Sequence, residues 1–149
     1  MKKIIVLSAI LLAGCNDMMD LYLGSQLPLD LYDSEEWGNL ETERQIGDWI
    51  RENIKYEWDY TNHNQGPEET LKRGKGDCED FAILFMCIAY FELGERYSLA
   101  YLDTGRAVES GGWVTHAVVS KDGRHFDPIW REEFRDVGYI YSFKEVFGR

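Results

Sequence analysis

The sequence has no apolar run long enough to cross a bilayer: its longest, Ile4 to Ala13 and Phe81 to Phe91, are about half of the roughly 20 residues a spanning helix needs. Basic residues are also scarce. Sixteen Lys and Arg against 27 Asp and Glu leave a net charge of −11, which disfavours general affinity for nucleic acid or for anionic lipid. There are only three cysteines. Cys78 and Cys87 lie nine positions apart in what reads as one helix, about 13 Å at a helical rise of about 1.5 Å per residue. A bridge needs Cα atoms closer than about 7 Å, so both should be free thiols. Paired Cys-x-x-Cys or His-x-x-His spacing is missing, which counts against a zinc site built from Cys78, His116 and Asp127. Internal repeats and low-complexity tracts are absent, which excludes a solenoid.

What stands at the start is processing information. Lys2 and Lys3 precede the apolar run, and Gly14-Cys15 follow it, the order of a secretory signal. Leu11-Leu12-Ala13-Gly14-Cys15 resembles a bacterial lipobox, against the alternative of an ordinary signal cleaved nearby. The resemblance implies removal of residues 1–14 as a lipoprotein signal peptide and lipidation of Cys15. Membrane attachment would then come from acyl chains. Residues 15–39, with Gly24, Pro28 and little sustained period, read as tether and lead-in, and residues 40–149 as a single domain of ordinary size.

Within that domain, Ile46, Trp49, Ile50 and Ile54 recur at helical spacing between Leu40 and about Trp58. Thr61 to Gly76 is loop-like, although Pro67 suits the first turn of a short helix. Asp77 is a candidate N-cap, Gly94 a candidate C-terminal stop, and the residues between are apolar on nearly every side, as a helix at the centre of a domain should be. After Gly94 the period becomes that of strands: Tyr97 to Leu102, Trp113 to Ser120, Arg124 to Trp130 and a shorter one within Tyr139 to Phe143. Asp122-Gly123 predicts a two-residue hairpin turn. Helices followed by an antiparallel sheet make this an α+β chain.

Thiol catalysis needs a thiolate, a base within hydrogen-bond reach and a third group that orients the base. Cys78 opens the predicted central helix, where unpaired N–H groups favour negative charge. Asp77, Glu79 and Asp80 oppose it unless they turn to solvent and an imidazolium stands against the sulfur. The hairpin supplies that imidazole. With Asp122 and Gly123 as turn residues, Lys121 pairs with Arg124, and the register continued places His116 opposite Ile129 and Asp127 opposite Val118. His116 and Asp127 are then diagonal neighbours on one face. His125 shares that face beside the turn and reads as a spectator, His63 as a solvated loop residue, and Cys87 as a small core residue. Trp49, Trp58, Trp113 and Trp130 read as core and rim packing, with some free to line a substrate groove.

The strings Thr70-Leu71-Lys72-Arg73-Gly74-Lys75-Gly76-Asp77-Cys78-Glu79-Asp80-Phe81-Ala82, Thr115-His116-Ala117-Val118-Val119 and Phe126-Asp127-Pro128 resemble the transglutaminase-like superfamily of papain-type thiol enzymes, over roughly residues 45 to 130. Gly-Asp-Cys-Glu-Asp-Phe-Ala-Ile is similar to the bacterial transglutaminase-like cysteine proteinases. The resemblance implies a central helix carrying the cysteine, packed on a small antiparallel sheet carrying His and Asp. It assigns Cys78 as nucleophile, His116 as general base and then acid, and Asp127 as orienter. It requires no cofactor. In the proteinase branch acids around the cysteine can bind Ca²⁺, which here would be Asp77, Glu79 and Asp80. A first oxyanion donor would be the Cys78 N–H, with Gln65, Trp58 and Tyr56 as candidates for the second.

The expectation is a monomeric, membrane-anchored thiol hydrolase of the bacterial cell envelope, a cysteine peptidase or amidase acting on a protein or peptide substrate. The alternatives are a non-catalytic peptide- or envelope-binding lipoprotein on the same fold, an amine-transferring transglutaminase and, on size and anchoring alone, an immunity or exclusion lipoprotein.

Overall fold

The computed structural model describes residues 37–58, 64–107 and 113–148, so the expected signal, the lipidation site Cys15 and His63 lie outside the described residues. Thr42 caps α1 (Glu43–Asn53) by accepting from the Gln45 N–H, and Ile46, Gly47 and Ile50 give the helix its buried face. The chain then extends into β1 (Lys55–Tyr56), where the sequence pattern had suggested continued helix. The short α2 (Pro67–Arg73) opens on its proline and stops at Gly74, which takes the left-handed φ of +63°. β2 (Lys75–Gly76) pairs with β1 in parallel, Tyr56 opposite Gly76, a contact that no local sequence pattern announced.

The central helix α3 (Cys78–Leu93) follows directly. It begins at a capping box between Asp77 and Asp80 and ends at Gly94. Every residue from Phe81 to Ala89 is buried, because α1 and α2 cover one side of the helix and the sheet covers the other. A fully buried Leu, Ile, Phe or Met contributes about 1.5–3 kcal/mol over its exposed state, so this segment anchors the fold. The core reaches back to Trp37, whose ring meets Trp49 edge to face and whose Nε1 donates to Glu92.

The sheet is antiparallel throughout, in the order β6 (Glu133–Phe134), β5 (Arg124–Phe126), β4 (Trp113–Lys121), β3 (Ser98–Ala107), β7 (Tyr139–Tyr141). Lys121 faces Arg124 and Val119 faces Phe126, as the hairpin reading requires. Asp122 and Gly123 both have positive φ, +51° and +78°, the signature of a type I′ turn. Strand β5 stops at Phe126, so Asp127 is not laddered opposite Val118 but begins a turn. The expected strand to Trp130 is cut short because Pro128 has no N–H to give the ladder and the turn closes on itself through Arg131 N–H to Asp127 C=O. Ser142 caps a last short helix, α4 (Phe143–Phe147), which the sequence reading did not include. No helix among the described residues is long and apolar enough to cross a membrane.

Candidate active site

Cys78 is the first residue of α3. Asp77 accepts from the Glu79 N–H at 3.0 Å and the Asp80 N–H at 3.4 Å, so two of the orphan donors of the helix are spent on the cap; the Cys78 N–H is not one of them. The thiol is pushed up to about 12. Burial is the main cause and the charges of Asp77 and Glu79 add to it, while backbone N–H groups of Ala117 and Glu79 oppose them. Cys87, buried mid-helix, is likewise pushed up to about 12 by burial, and both cysteines are free.

The condition that the acids beside Cys78 turn to solvent is not met: two of them turn inward. Glu79 is buried and accepts the hydroxyl of Tyr101. Asp80 is wholly buried, and its oxygens accept the Gln65 backbone N–H at 2.7 Å, the Gln65 Nε2 at 2.7 Å and the Asp77 N–H at 3.0 Å. Desolvation raises both carboxyls to about 7, with the Asp77 charge contributing in each case. Gln65 is not placed as an oxyanion donor: it is buried against Asp80 and does not line the cleft of Cys78. Gln65 lies fifteen residues from Asp80, and no local pattern signals that contact.

On the facing sheet, His116 of β4 bonds Asp127: Nε2 stands 2.7 Å from Oδ2. Asp127 is buried, and its other oxygen accepts the N–H groups of Ile129 at 2.8 Å and Trp130 at 2.9 Å. Three bonds therefore fix this carboxylate and, through it, the imidazole. With Nε2–H held by Asp127, the neutral ring has Nδ1 as its basic nitrogen. His125, by contrast, pairs with Ser120 Oγ at 2.9 Å, away from this group.

The turn that carries Asp127 is clamped from below by α1. Arg51 donates to the Ile129 carbonyl at 3.3 Å, and Asp48 pairs with both Arg51 and Arg131. Sequence reasoning did not pick out Gly47, Asp48, Arg51 or Arg131, because their role depends on an approach of segments some eighty residues apart.

A cleft brings the parts together. Cys78, His116 and Asp127 all line it, with Tyr56, Phe81, Ala82, Ala117, Pro128, Ile129 and Trp130. Tyr56 reaches it because the β1–β2 pairing sets it beside Gly76, two residues before Cys78, and its ring packs edge to face on Phe81 at 5.7 Å. Its hydroxyl is raised to about 12, by burial first and also by the negative charges of Asp77 and Asp127, so it remains a donor across the physiological range. Trp58 is exposed and does not line the cleft.

Calcium does not fit the acids as they stand. Asp77 caps the helix, Glu79 and Asp80 accept internal donors, and no group of three or more metal-capable side chains converges among the described residues.

A cysteine at a helix start shares its cleft with a histidine on a strand that is bonded to an aspartate in the following turn, an arrangement that suits thiol chemistry. Residues 32–120 match the family model of the transglutaminase-like superfamily, and the chain belongs to that family. Among solved structures it is similar to a candidate cysteine protease from Cytophaga hutchinsonii, with 19% identity and a TM-score of 0.49 over 74% of this chain and 39% of that one. The chain thus spans about two fifths of the length of that protein. No curated protein matches it.

Proposed function

We propose that this protein is a thiol hydrolase that cleaves amide or peptide bonds through Cys78, His116 and Asp127, and that it works in the bacterial envelope on a lipid anchor at Cys15. The observation that carries the catalytic reading is the 2.7 Å bond from His116 to a buried Asp127 within a cleft that Cys78 also lines.

Burial and neighbouring acids hold the Cys78 thiol neutral, so attack requires His116 Nδ1 to take the Sγ proton as the C–S bond forms. Asp127 stabilises the resulting imidazolium. The oxyanion receives hydrogen bonds from the Cys78 N–H and the Tyr56 hydroxyl. His116 then returns its proton to the departing amine, leaving a thioester on Cys78. Water, deprotonated by His116, attacks the thioester, releases the acid and restores the thiol. An amine in place of water would complete transfer by the same steps.

The test is the rate of Cys78 alkylation by iodoacetamide at neutral pH. His116→Ala should slow it by at least about a hundredfold, in line with general-base contributions. Equal rates in the two proteins would exclude an activated thiol and favour a binding role for the fold. Comparing envelope fragments from cells carrying the wild type or Cys78→Ala would identify the target, since new termini should appear only with the wild type. The anchor is tested by incorporation of labelled palmitate, which Cys15→Ala should abolish.

A further inference from the structure

Five large apolar side chains are exposed among the described residues, and they are not scattered evenly. Trp130, 57% exposed, and Tyr56, 40% exposed, line the cleft of Cys78. Trp58, 45% exposed, lies two residues along from Tyr56, just beyond the last pairing bond, Glu57 N–H to Gly76 C=O at 2.9 Å, and outside the cleft lining. Two aromatic rings are thus presented to water in one cleft, and exposed apolar patches of this kind mark binding surfaces.

The backbone beneath both cleft residues is fixed. The backbone N–H of Trp130 bonds Asp127, which sets where the residue leaves the turn. Tyr56 is fixed by the β1–β2 register and by Phe81. The remaining lining, Phe81, Ala82, Ala117, Pro128 and Ile129, is apolar, and no lysine or arginine lines the cleft among the described residues. With a net charge of −11, the site offers an acidic side chain of a substrate no lysine or arginine to pair with.

We propose that Tyr56 and Trp130 form an aromatic subsite that grips an apolar side chain of a polypeptide substrate beside the scissile amide, and that acidic sequences are refused. This rests on the thiol-hydrolase reading and names its substrate class. Aromatic side chains supply a large contact area with few torsions to freeze, and the absence of lysine and arginine leaves an acidic side chain desolvated without an ion-pair partner.

The experiment labels the full chain in detergent with N-blocked Phe-Phe, Ala-Ala and Glu-Glu chloromethyl ketones and reads the rate of Cys78 modification. Phe-Phe should react at least about tenfold faster than Ala-Ala, and Glu-Glu slowest, in keeping with discrimination by hydrophobic pockets. Trp130→Ala should collapse the Phe-Phe preference, and Trp130→Phe should retain most of it. Tyr56→Phe keeps the ring and should keep the preference while slowing all three probes. Equal rates for the three probes on the wild type, or a preference that survives Trp130→Ala, would overturn the subsite. That failure is distinguishable from failure of the catalytic reading, which is judged by whether iodoacetamide labelling depends on His116.

Discussion

The carbonyl oxygen of Pro128 lies 2.1 Å from the place where a Cβ on Gly47 would stand. Helix α1 therefore touches the Asp127 turn backbone to backbone, and only glycine permits it. Gly47→Ala must push Pro128 away, and Asp127 moves with it. Overpacking of this kind costs on the order of 1–3 kcal/mol. The denaturant midpoint should fall accordingly, and Cys78 alkylation should slow because His116 loses its oriented partner. Destabilisation with wild-type alkylation would mean that the contact serves packing alone.

Asp80 illustrates a second buried dependence. It takes three hydrogen bonds from Gln65 and Asp77, and Gly76 lies so close that a Cβ there would meet the Asp80 Cβ at 2.6 Å. Asp80→Ala strands those donors, each at about 1–3 kcal/mol without full additivity. A loss of at least about 3 kcal/mol in chemical denaturation is expected, with Gln65→Ala milder because the backbone N–H of residue 65 can still reach the carboxylate.

Much of this site could be read from sequence because it rests on local rules. The capping residues of α3, its all-round apolar surface, the Asp122-Gly123 turn and the pairing of Lys121 with Arg124 each follow from a few adjacent residues. Continuing the hairpin register brought His116 and Asp127 together correctly, although by a diagonal ladder contact that Pro128 in fact interrupts. What stayed hidden depends on contacts distant in sequence: Gln65 on Asp80, Glu79 under Tyr101, α1 beneath the Asp127 turn. Carboxylates in the string Asp77-Cys78-Glu79-Asp80 look solvent-bound in one dimension. Only the tertiary donors make it favourable to bury two of them.

Glu79 gives the protein a pH dependence of defined sign. Burial, aided by Asp77 and Asp80 against the opposing Tyr101 bond, raises its carboxyl from 4.5 to about 7. Between those values the folded chain keeps a proton that the unfolded chain releases. The stability contributed is complete below about pH 4.5 and is lost as the pH rises through about 7. At about 1.36 kcal/mol per unit, the difference is on the order of 3 kcal/mol. Glu79→Gln should remove this slope, so that the variant gains on the wild type from pH 5 to pH 8 in parallel denaturant titrations. The same substitution deletes a charge that opposes the Cys78 thiolate and should speed alkylation at pH 8. A stability difference between variant and wild type that does not change with pH would show that Glu79 ionises in the fold as it does in water.

Metal removal offers a sharp contrast with the calcium expectation attached to the proteinase branch. For Asp77, Glu79 and Asp80 to share a cation, Asp77 would have to release the start of α3, Glu79 the Tyr101 hydroxyl, and Asp80 its bonds from Gln65. Carboxylates that accept two or three donors in a buried setting are costly to free, and a hard cation asks for six to eight oxygens. Excess EGTA should therefore leave both the melting temperature and the Cys78 alkylation rate unchanged, and millimolar Ca²⁺ should raise neither. A ligand that binds only the folded state at a hundred times its Kd adds about 2.7 kcal/mol, a shift of several degrees that thermal melts resolve easily. Such a shift with Ca²⁺, lost in Glu79→Gln, would show that the acids rearrange around an ion and that the cap of α3 is remade when it binds.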